Sequence, residues 1–144
     1  MNQQSILQPV VALFLLTGIV WAMMYIRRLS YMFSNKIDPQ SVATPEQMQA
    51  AMPGHISNPS NNLKNLFELP VVFYALCAFL LLTQRVDALY LNAAWAFVIL
   101  RAIHSAIHCT VNLVNLRFTA YFISSLVLWS MVGRLALSVL LSAS

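Results

Sequence analysis

Residues 60–84 read SNNLKNLFELPVVFYALCAFLLLTQ, a polar beginning followed by a long apolar run that holds one proline. A run of about 20 mostly apolar residues is long enough to cross the hydrocarbon core of a bilayer as a helix. We therefore predict a membrane-spanning helix here, with Ser60 as its N-cap. Pro70 should kink this helix rather than end it, because neighbouring helices in a membrane can satisfy the backbone groups that proline frees.

The composition of the chain and three further apolar stretches extend this prediction. Of 144 residues, 60% are hydrophobic and only 8% are charged, whereas soluble proteins carry about 25% charged residues. We therefore predict an all-α integral membrane protein, a four-transmembrane-helix bundle that forms a single domain over residues 1–144. The predicted helices cover about residues 6–31, 60–84, 88–111 and 117–141.

The segment from about 34 to 59 is polar and rich in proline, which predicts a loop. Within it, Thr44 and Pro45 stand where a cap and a proline begin a helix, so one helical turn is expected over residues 45–51. The other two connections are short, which predicts that the helices they join are antiparallel neighbours.

The basic residues indicate how the bundle lies in the membrane. Arg27, Arg28, Lys36 and Lys64 flank the long loop, and Arg117 flanks the connection between the third and fourth helices. Cytoplasmic loops carry the excess of Lys and Arg, so both termini are expected on the non-cytoplasmic side of this multi-pass protein. The formal charge of +4 is dispersed along the chain, and no nucleic-acid partner is expected.

Several ionisable residues lie inside the predicted spans, where a charge costs about 2.5 to 3.5 kcal/mol at a helix centre. Polar residues of the second and third helices follow the spacing i, i+3, i+4 and i+7, so each set occupies one helix face. At about 1.5 Å per residue, the two faces meet at the same depth. The sets are Asn61, Lys64, Asn65 and Glu68 in the second helix, and Arg101, His104, Ser105, His108 and Asn112 in the third.

The two polar faces predict a shared site near the cytoplasmic side. An ion pair between Glu68 and Arg101 is geometrically allowed, either within one subunit or between two. Arg117 and Tyr121 would lie at the mouth of this region, and an arginine of the first helix such as Arg28 would line it. Several cations around one carboxylate favour an anionic ligand, and simple bonding between helices is the alternative.

His104 and His108, at i and i+4, could share one metal ion or a haem. No Glu follows the first His as in zinc proteases, and Arg101 would oppose a bound cation, so no metal is expected. Cys77 and Cys109 lie in apolar stretches, where a thiol behaves as a small hydrophobe, and no disulfide is expected.

Arg85 and Arg134 are the exceptions to this distribution of basic residues, and Arg134 is predicted at the other end of the bundle. It lies roughly 25 Å from Arg117 along the fourth helix, at about 1.5 Å per residue. There it can pair with Asp87, and we predict that this pair is structural.

Three short motifs, in this order, resemble a known family: Asn65-Leu66-Phe67-Glu68 in the second helix, Arg101-Ala102-Ile103-His104 in the third, and Arg117-Phe118-Thr119-Ala120-Tyr121 at the start of the fourth. They are similar to the motifs of the membrane-associated proteins in eicosanoid and glutathione metabolism, the MAPEG family. That family includes microsomal glutathione transferases and microsomal prostaglandin E synthase. The resemblance covers most of the chain.

The resemblance implies a membrane-bound, glutathione-dependent transferase or peroxidase. It implies a homotrimer among membrane lipids, with glutathione as cosubstrate bound between adjacent subunits, and a lipophilic electrophile that enters from lipid. Arg117 would be the catalytic residue, because a neighbouring guanidinium lowers the pKa of a thiol from about 8.5 and the thiolate is the nucleophile. The predicted glutathione-binding residues are Asn65, Glu68, Arg101, His104, His108, Tyr121, Lys64 and Arg28.

The sequence departs from the family pattern at two positions. Asn61 stands where several members have an arginine, and His108 stands where they have a tyrosine. Lys64 would replace part of the lost charge. These departures favour an alternative, a non-catalytic membrane protein that holds a lipid headgroup or another anion in a basic cavity between helices.

Overall fold

The computed structural model describes residues 2–142. Four of its segments are long and apolar enough to cross a membrane: Gln3–Ser34, Gly54–Leu82, Ala88–Cys109 and Val114–Leu141. The predicted all-α membrane protein with four spanning segments is therefore confirmed for the described part of the chain. Its α-helices are α1 (Leu7–Ser34), α2 (Pro45–Ala51), α3 (Gly54–Leu66), α4 (Leu69–Leu82), α5 (Ala88–Cys109) and α6 (Val114–Ser142), and short 3-10 helices cover Gln3–Ile6 and Pro39–Val42.

The helical turn expected in the long connection is α2. The Thr44 hydroxyl accepts a hydrogen bond from the Gln47 backbone N–H at 3.3 Å, and the Gln47 side chain accepts one from the Thr44 N–H at 3.1 Å. This reciprocal pair is a capping box, and it explains why the helix begins at Pro45. The connection ends earlier than expected, because α3 begins at Gly54.

The prediction that Ser60 caps the second span was wrong, because the helix continues through Pro59. Proline lacks the N–H that would bond to the carbonyl four residues earlier, here that of His55. The Arg27 guanidinium donates to this carbonyl at 3.2 Å and to the Cys109 carbonyl at the end of α5 at 2.9 Å. Arg27 thus satisfies the acceptor that Pro59 leaves and ties α1 to α3 and α5.

Pro70 interrupts the second span instead of only kinking it. α3 ends at Leu66 and α4 begins at Leu69, and Glu68 between them has a non-helical backbone with φ −98° and ψ −104°. The proline ring would clash with the Leu66 carbonyl in a continuous helix, so the chain breaks before it. The break leaves Glu68 exposed at the side of the bundle.

The connection between α5 and α6 is shorter than predicted. α6 begins at Val114, so Arg117 lies in its first turn rather than at its start. Asn112 takes a left-handed conformation with φ 49°, and its N–H donates to the Ile107 carbonyl at 2.7 Å. Asparagine tolerates this conformation better than most residues, and the bond closes the end of α5.

The interior of the bundle is apolar at mid-height and polar at one end. Phe73 of α4 stacks on Phe97 of α5 with ring centroids 4.7 Å apart, and both rings are fully buried. Large apolar side chains such as Phe14 and Trp129 are exposed, as expected for a surface that faces lipid. The buried polar side chains gather where α5 ends and α6 begins.

The predicted pair of Asp87 and Arg134 is present at the opposite end. The guanidinium donates to both carboxylate oxygens, at 2.9 and 2.5 Å, and lies 4.2 Å from the centroid of the Tyr90 ring. Asp87 also caps α5, since its Oδ1 accepts from the Tyr90 N–H at 2.9 Å. The hydrogen bonds from Arg134 are the main reason why the pKa of Asp87 falls to about 2.

The variant Asp87→Asn should keep the cap and lose the ion pair. Because both partners are partly exposed, the loss of stability at neutral pH should be only about 0.2 to 1 kcal/mol. A lowered carboxyl pKa contributes stability above the unfolded value of about 3.9, and this contribution disappears as the pH falls towards about 2. Thermal unfolding in detergent across this pH range measures the difference.

Asp38→Asn is the matched control for this prediction. Asp38 also caps a short helix, by accepting from the Gln40 N–H at 2.9 Å, and no ion pair to it is found among residues 2–142. A difference between wild type and Asp87→Asn that stays constant from neutral pH to about 2 would contradict the assigned role of the Arg134 pair.

Candidate functional site

Arg101 of α5 is a fully buried cation without a bonded carboxylate in the described chain. Its side chain is 0% exposed, and its Nη2 donates to the Asn65 carbonyl at 2.8 Å. Its Nε and Nη1 have no hydrogen-bond partner among residues 2–142. Buried donors of this kind are costly to leave unpaired.

Tyr121 of α6 stands between Arg101 and Glu68. The Arg101 guanidinium carbon lies 5.0 Å from the centroid of the Tyr121 ring, and the Tyr121 hydroxyl donates to Glu68 Oε2 at 3.3 Å. The ion pair that the sequence allowed between Glu68 and Arg101 is not formed within the described residues. The tyrosine joins the two charges instead, so the carboxylate keeps accepting capacity for a ligand.

His104 connects three helices through its two ring nitrogens. Its Nδ1 lies 2.8 Å from the Arg117 carbonyl oxygen, and its Nε2 lies 3.5 Å from Asn65 Nδ2. A carbonyl can only accept, so Nδ1 carries the proton and Nε2 is the acceptor of a neutral ring. His104 therefore fixes the backbone of Arg117 relative to α3 and α5.

Arg117 projects from the first turn of α6 and is half-buried. Its Nη1 donates to Asn112 Oδ1 at 2.5 Å, and Asn112 Nδ2 donates to Asn58 Oδ1 at 3.1 Å. The other edge of the guanidinium, formed by Nε and Nη2, makes no hydrogen bond to the described residues. This edge is available to an anionic ligand.

Sequence reasoning missed two buried asparagines of α3. Asn62 Oδ1 accepts from the Ser105 hydroxyl at 3.3 Å, and its Nδ2 donates to Cys109 Sγ at 3.5 Å. The other is Asn58, whose Oδ1 accepts a hydrogen bond from Asn112 Nδ2 at 3.1 Å. Together with Asn65, these residues have the spacing i, i+4 and i+7, which would have marked a helix face if α3 had been predicted to begin at Gly54.

Lys64 and Arg28 lie elsewhere, around a cavity of about 360 Å³ between α3 and the segment that carries α2. Arg28 Nη2 donates to the Ser60 hydroxyl at 3.1 Å, and Asn61 also lines the cavity. None of its lining residues is acidic. The predicted polar face of the second helix is thus divided, because Asn65 contacts α5 while Lys64 and Asn61 line this cavity.

His108 is buried, with its ring centroid 5.5 Å from that of His104. Its Nδ1 has no hydrogen-bond partner in the described chain. Residues 2–142 contain no group of three His, Cys, Asp or Glu side chains that could hold a metal ion. Cys77 and Cys109 are separate, buried thiols.

Comparison with known proteins gives one match. Residues 6–137 match the family model described as the MAPEG family, so the match covers nearly the whole chain. No curated protein and no solved structure matches.

Proposed function

The chain belongs to the MAPEG family, membrane proteins of eicosanoid and glutathione metabolism, and from this premise we propose that it is a glutathione-dependent transferase or peroxidase. Its cosubstrate is glutathione and its second substrate is a lipophilic electrophile dissolved in the membrane. The protein acts as a homotrimer, with both termini on the non-cytoplasmic side and the site near the cytoplasmic side.

The observation that carries this proposal is the half-buried guanidinium of Arg117, one edge of which has no hydrogen-bond partner among residues 2–142. Glutathione has a thiol with a pKa of about 8.5, and a guanidinium beside it stabilises the thiolate. The thiol proton leaves to solvent, and the thiolate sulfur forms a bond to the electrophilic carbon as the leaving group departs. Arg117 then acts by electrostatic stabilisation and needs no proton of its own to move.

The charges around Arg117 complement those of the tripeptide. Glutathione carries two carboxylates and one ammonium group, which suit the unpaired donors of buried Arg101 and the exposed carboxylate of Glu68. Tyr121 lies between these two charges and lines the site. Asn65, His104 and His108 complete its wall, and Lys64 and Arg28 supply positive charge from the neighbouring cavity.

Activity in liposomes tests this proposal. Protein reconstituted with glutathione should conjugate a series of aryl halides, with rates that rise with the hydrophobicity of the halide because the substrate enters from lipid. Glu68→Gln should raise the KM for glutathione with a smaller effect on kcat, since it weakens binding remote from the thiol. Rates equal to those of protein-free liposomes would refute the proposed activity.

A second candidate function is favoured by the cavity of about 360 Å³ whose lining includes Arg28 and Lys64 and no acidic residue. A lipid headgroup or another anion would be held there without turnover. Native mass spectrometry should then show a retained phospholipid that is lost in Lys64→Gln and kept in the control Lys36→Gln, an exposed lysine outside the cavity. A wild-type protein free of lipid and anion would eliminate this candidate.

A further inference from the structure

Asn112 links the guanidinium of Arg117 to α3. Its Oδ1 accepts from Arg117 Nη1 at 2.5 Å, and its Nδ2 donates to the buried Asn58 Oδ1 at 3.1 Å. We propose that Asn112 is a positioning residue, which orients Arg117 for the thiolate of glutathione. This inference rests on the proposed function of Arg117.

The chemistry of a side-chain amide explains why asparagine suits this position. The amide oxygen must accept from Arg117, and the amide nitrogen must donate to Asn58. If the amide were reversed, its nitrogen would face the Arg117 donor and its oxygen would face the Asn58 acceptor, so neither hydrogen bond could form. The backbone of Asn112 is left-handed, with φ 49°, and its side chain bonds to Arg117 of α6 and to Asn58 of α3. Aspartate would keep the acceptor and lose the donor.

Arg117 is thereby held at both its backbone and its side chain. His104 Nδ1 donates to the Arg117 carbonyl at 2.8 Å, while Asn112 holds the far end of the same residue. A free arginine side chain has many rotamers, and it loses conformational entropy when it is fixed against a ligand. A guanidinium that Asn112 already holds in place does not incur this loss when the thiolate forms. Because Nη1 faces Asn112, the edge formed by Nε and Nη2 is the one presented to the thiol.

Three variants separate this role from a merely structural one. Asn112→Gly removes the side chain and still permits the left-handed backbone. Asn112→Asp keeps an acceptor but adds a carboxylate that pairs with the Arg117 charge. Asn115→Ala is the control, because Asn115 is exposed in the first turn of α6, which also carries Arg117, and its side chain makes no hydrogen bond to residues 2–142. Its backbone carbonyl, which alanine keeps, accepts from the Thr119 hydroxyl.

The first readout is the pKa of the thiol of bound glutathione, followed by thiolate absorbance against pH. In Asn112→Gly we expect a rise of about one unit, seen as the same shift of the midpoint of the thiolate titration to higher pH. Asn112→Asp should raise the pKa at least as much, because its carboxylate offsets the arginine charge. A thiol pKa equal to that of wild type in both variants would overturn the inference.

The second readout needs no glutathione. Phenylglyoxal modifies accessible arginines, and mass spectrometry gives its rate at Arg117 with Arg28 as an internal reference. Asn112→Gly should raise the rate several-fold and Asn115→Ala should leave it unchanged, whereas equal rates in all three proteins would overturn the inference. If wild type binds no glutathione but this rate still rises, the proposed function fails and the Asn112 contact stands.

Discussion

Replacement of Arg117 by alanine is expected to lower the rate of glutathione conjugation at neutral pH by about two to three orders of magnitude. Loss of one preorganised donor to a developing negative charge typically has an effect of this size. In the proposed mechanism the half-buried guanidinium also holds the bound thiol below its ordinary pKa of about 8.5. The pH–rate profile of Arg117→Ala should therefore move to higher pH, and measurement of kcat/KM from about pH 6 to 10 tests this.

Arg117→Lys and Asn115→Ala are the controls for this prediction. Lysine keeps the charge without the planar fork, so it should restore part of the rate and part of the shift in the profile. Asn115→Ala should behave as wild type, because its side chain is exposed and makes no hydrogen bond to the described residues. An unchanged pH profile in Arg117→Ala would contradict the role given to its charge.

Replacement of Arg101 by methionine is expected to separate binding from stability. Methionine has similar length and no charge, and the buried guanidinium has two donors without a protein partner in the described chain. Removal of the buried charge relieves its desolvation cost, and it also loses the hydrogen bond to the Asn65 carbonyl. These two effects oppose each other, so the free energy of unfolding of the ligand-free variant should lie within about 1 kcal/mol of that of wild type. Its affinity for glutathione should fall by about tenfold to a hundredfold, since charged hydrogen bonds contribute about 1.5 to 3 kcal/mol.

Arg134→Met gives the opposite pattern and serves as the control. Arg134 has its carboxylate partner, Asp87, at 2.5 Å, so its loss should slightly lower stability and leave glutathione affinity unchanged. Thermal unfolding in detergent and a binding titration on each variant give both quantities. A loss of several kcal/mol in ligand-free Arg101→Met would show that Arg101 serves the fold rather than a ligand.

Helical periodicity and depth predicted some of the contacts around the site, but they also assigned to it Lys64 and Arg28, which line a different cavity. Asn65 contacts both Arg101 and His104, and Tyr121 contacts Arg101. These contacts follow from spacing along regular helices at a common depth, which a sequence displays directly. The pairing of Asp87 with Arg134 was predictable for the same reason.

Two differences arise at prolines of the second span. Pro59 indicates a loop in the sequence, but Arg27, from another helix, satisfies the carbonyl that it frees, and α3 begins early enough to present Asn58 and Asn62. Pro70 breaks the helix, so the periodicity assumed for Glu68 does not hold across the break. The continuation through Pro59 depends on Arg27, a partner distant in sequence. The break before Pro70 has a local cause, the clash of its ring with the Leu66 carbonyl, and the sequence analysis expected a kink there instead.

The most direct test of the account is a spectrophotometric titration of the purified protein with glutathione at neutral pH, beside Arg117→Ala. We expect the ultraviolet band of a thiolate to grow to saturation in wild type, with release of about one proton per bound glutathione. Arg117→Ala should show no band at the same pH. Saturable binding without a thiolate band in wild type, or no binding in either detergent or lipid, would contradict the account.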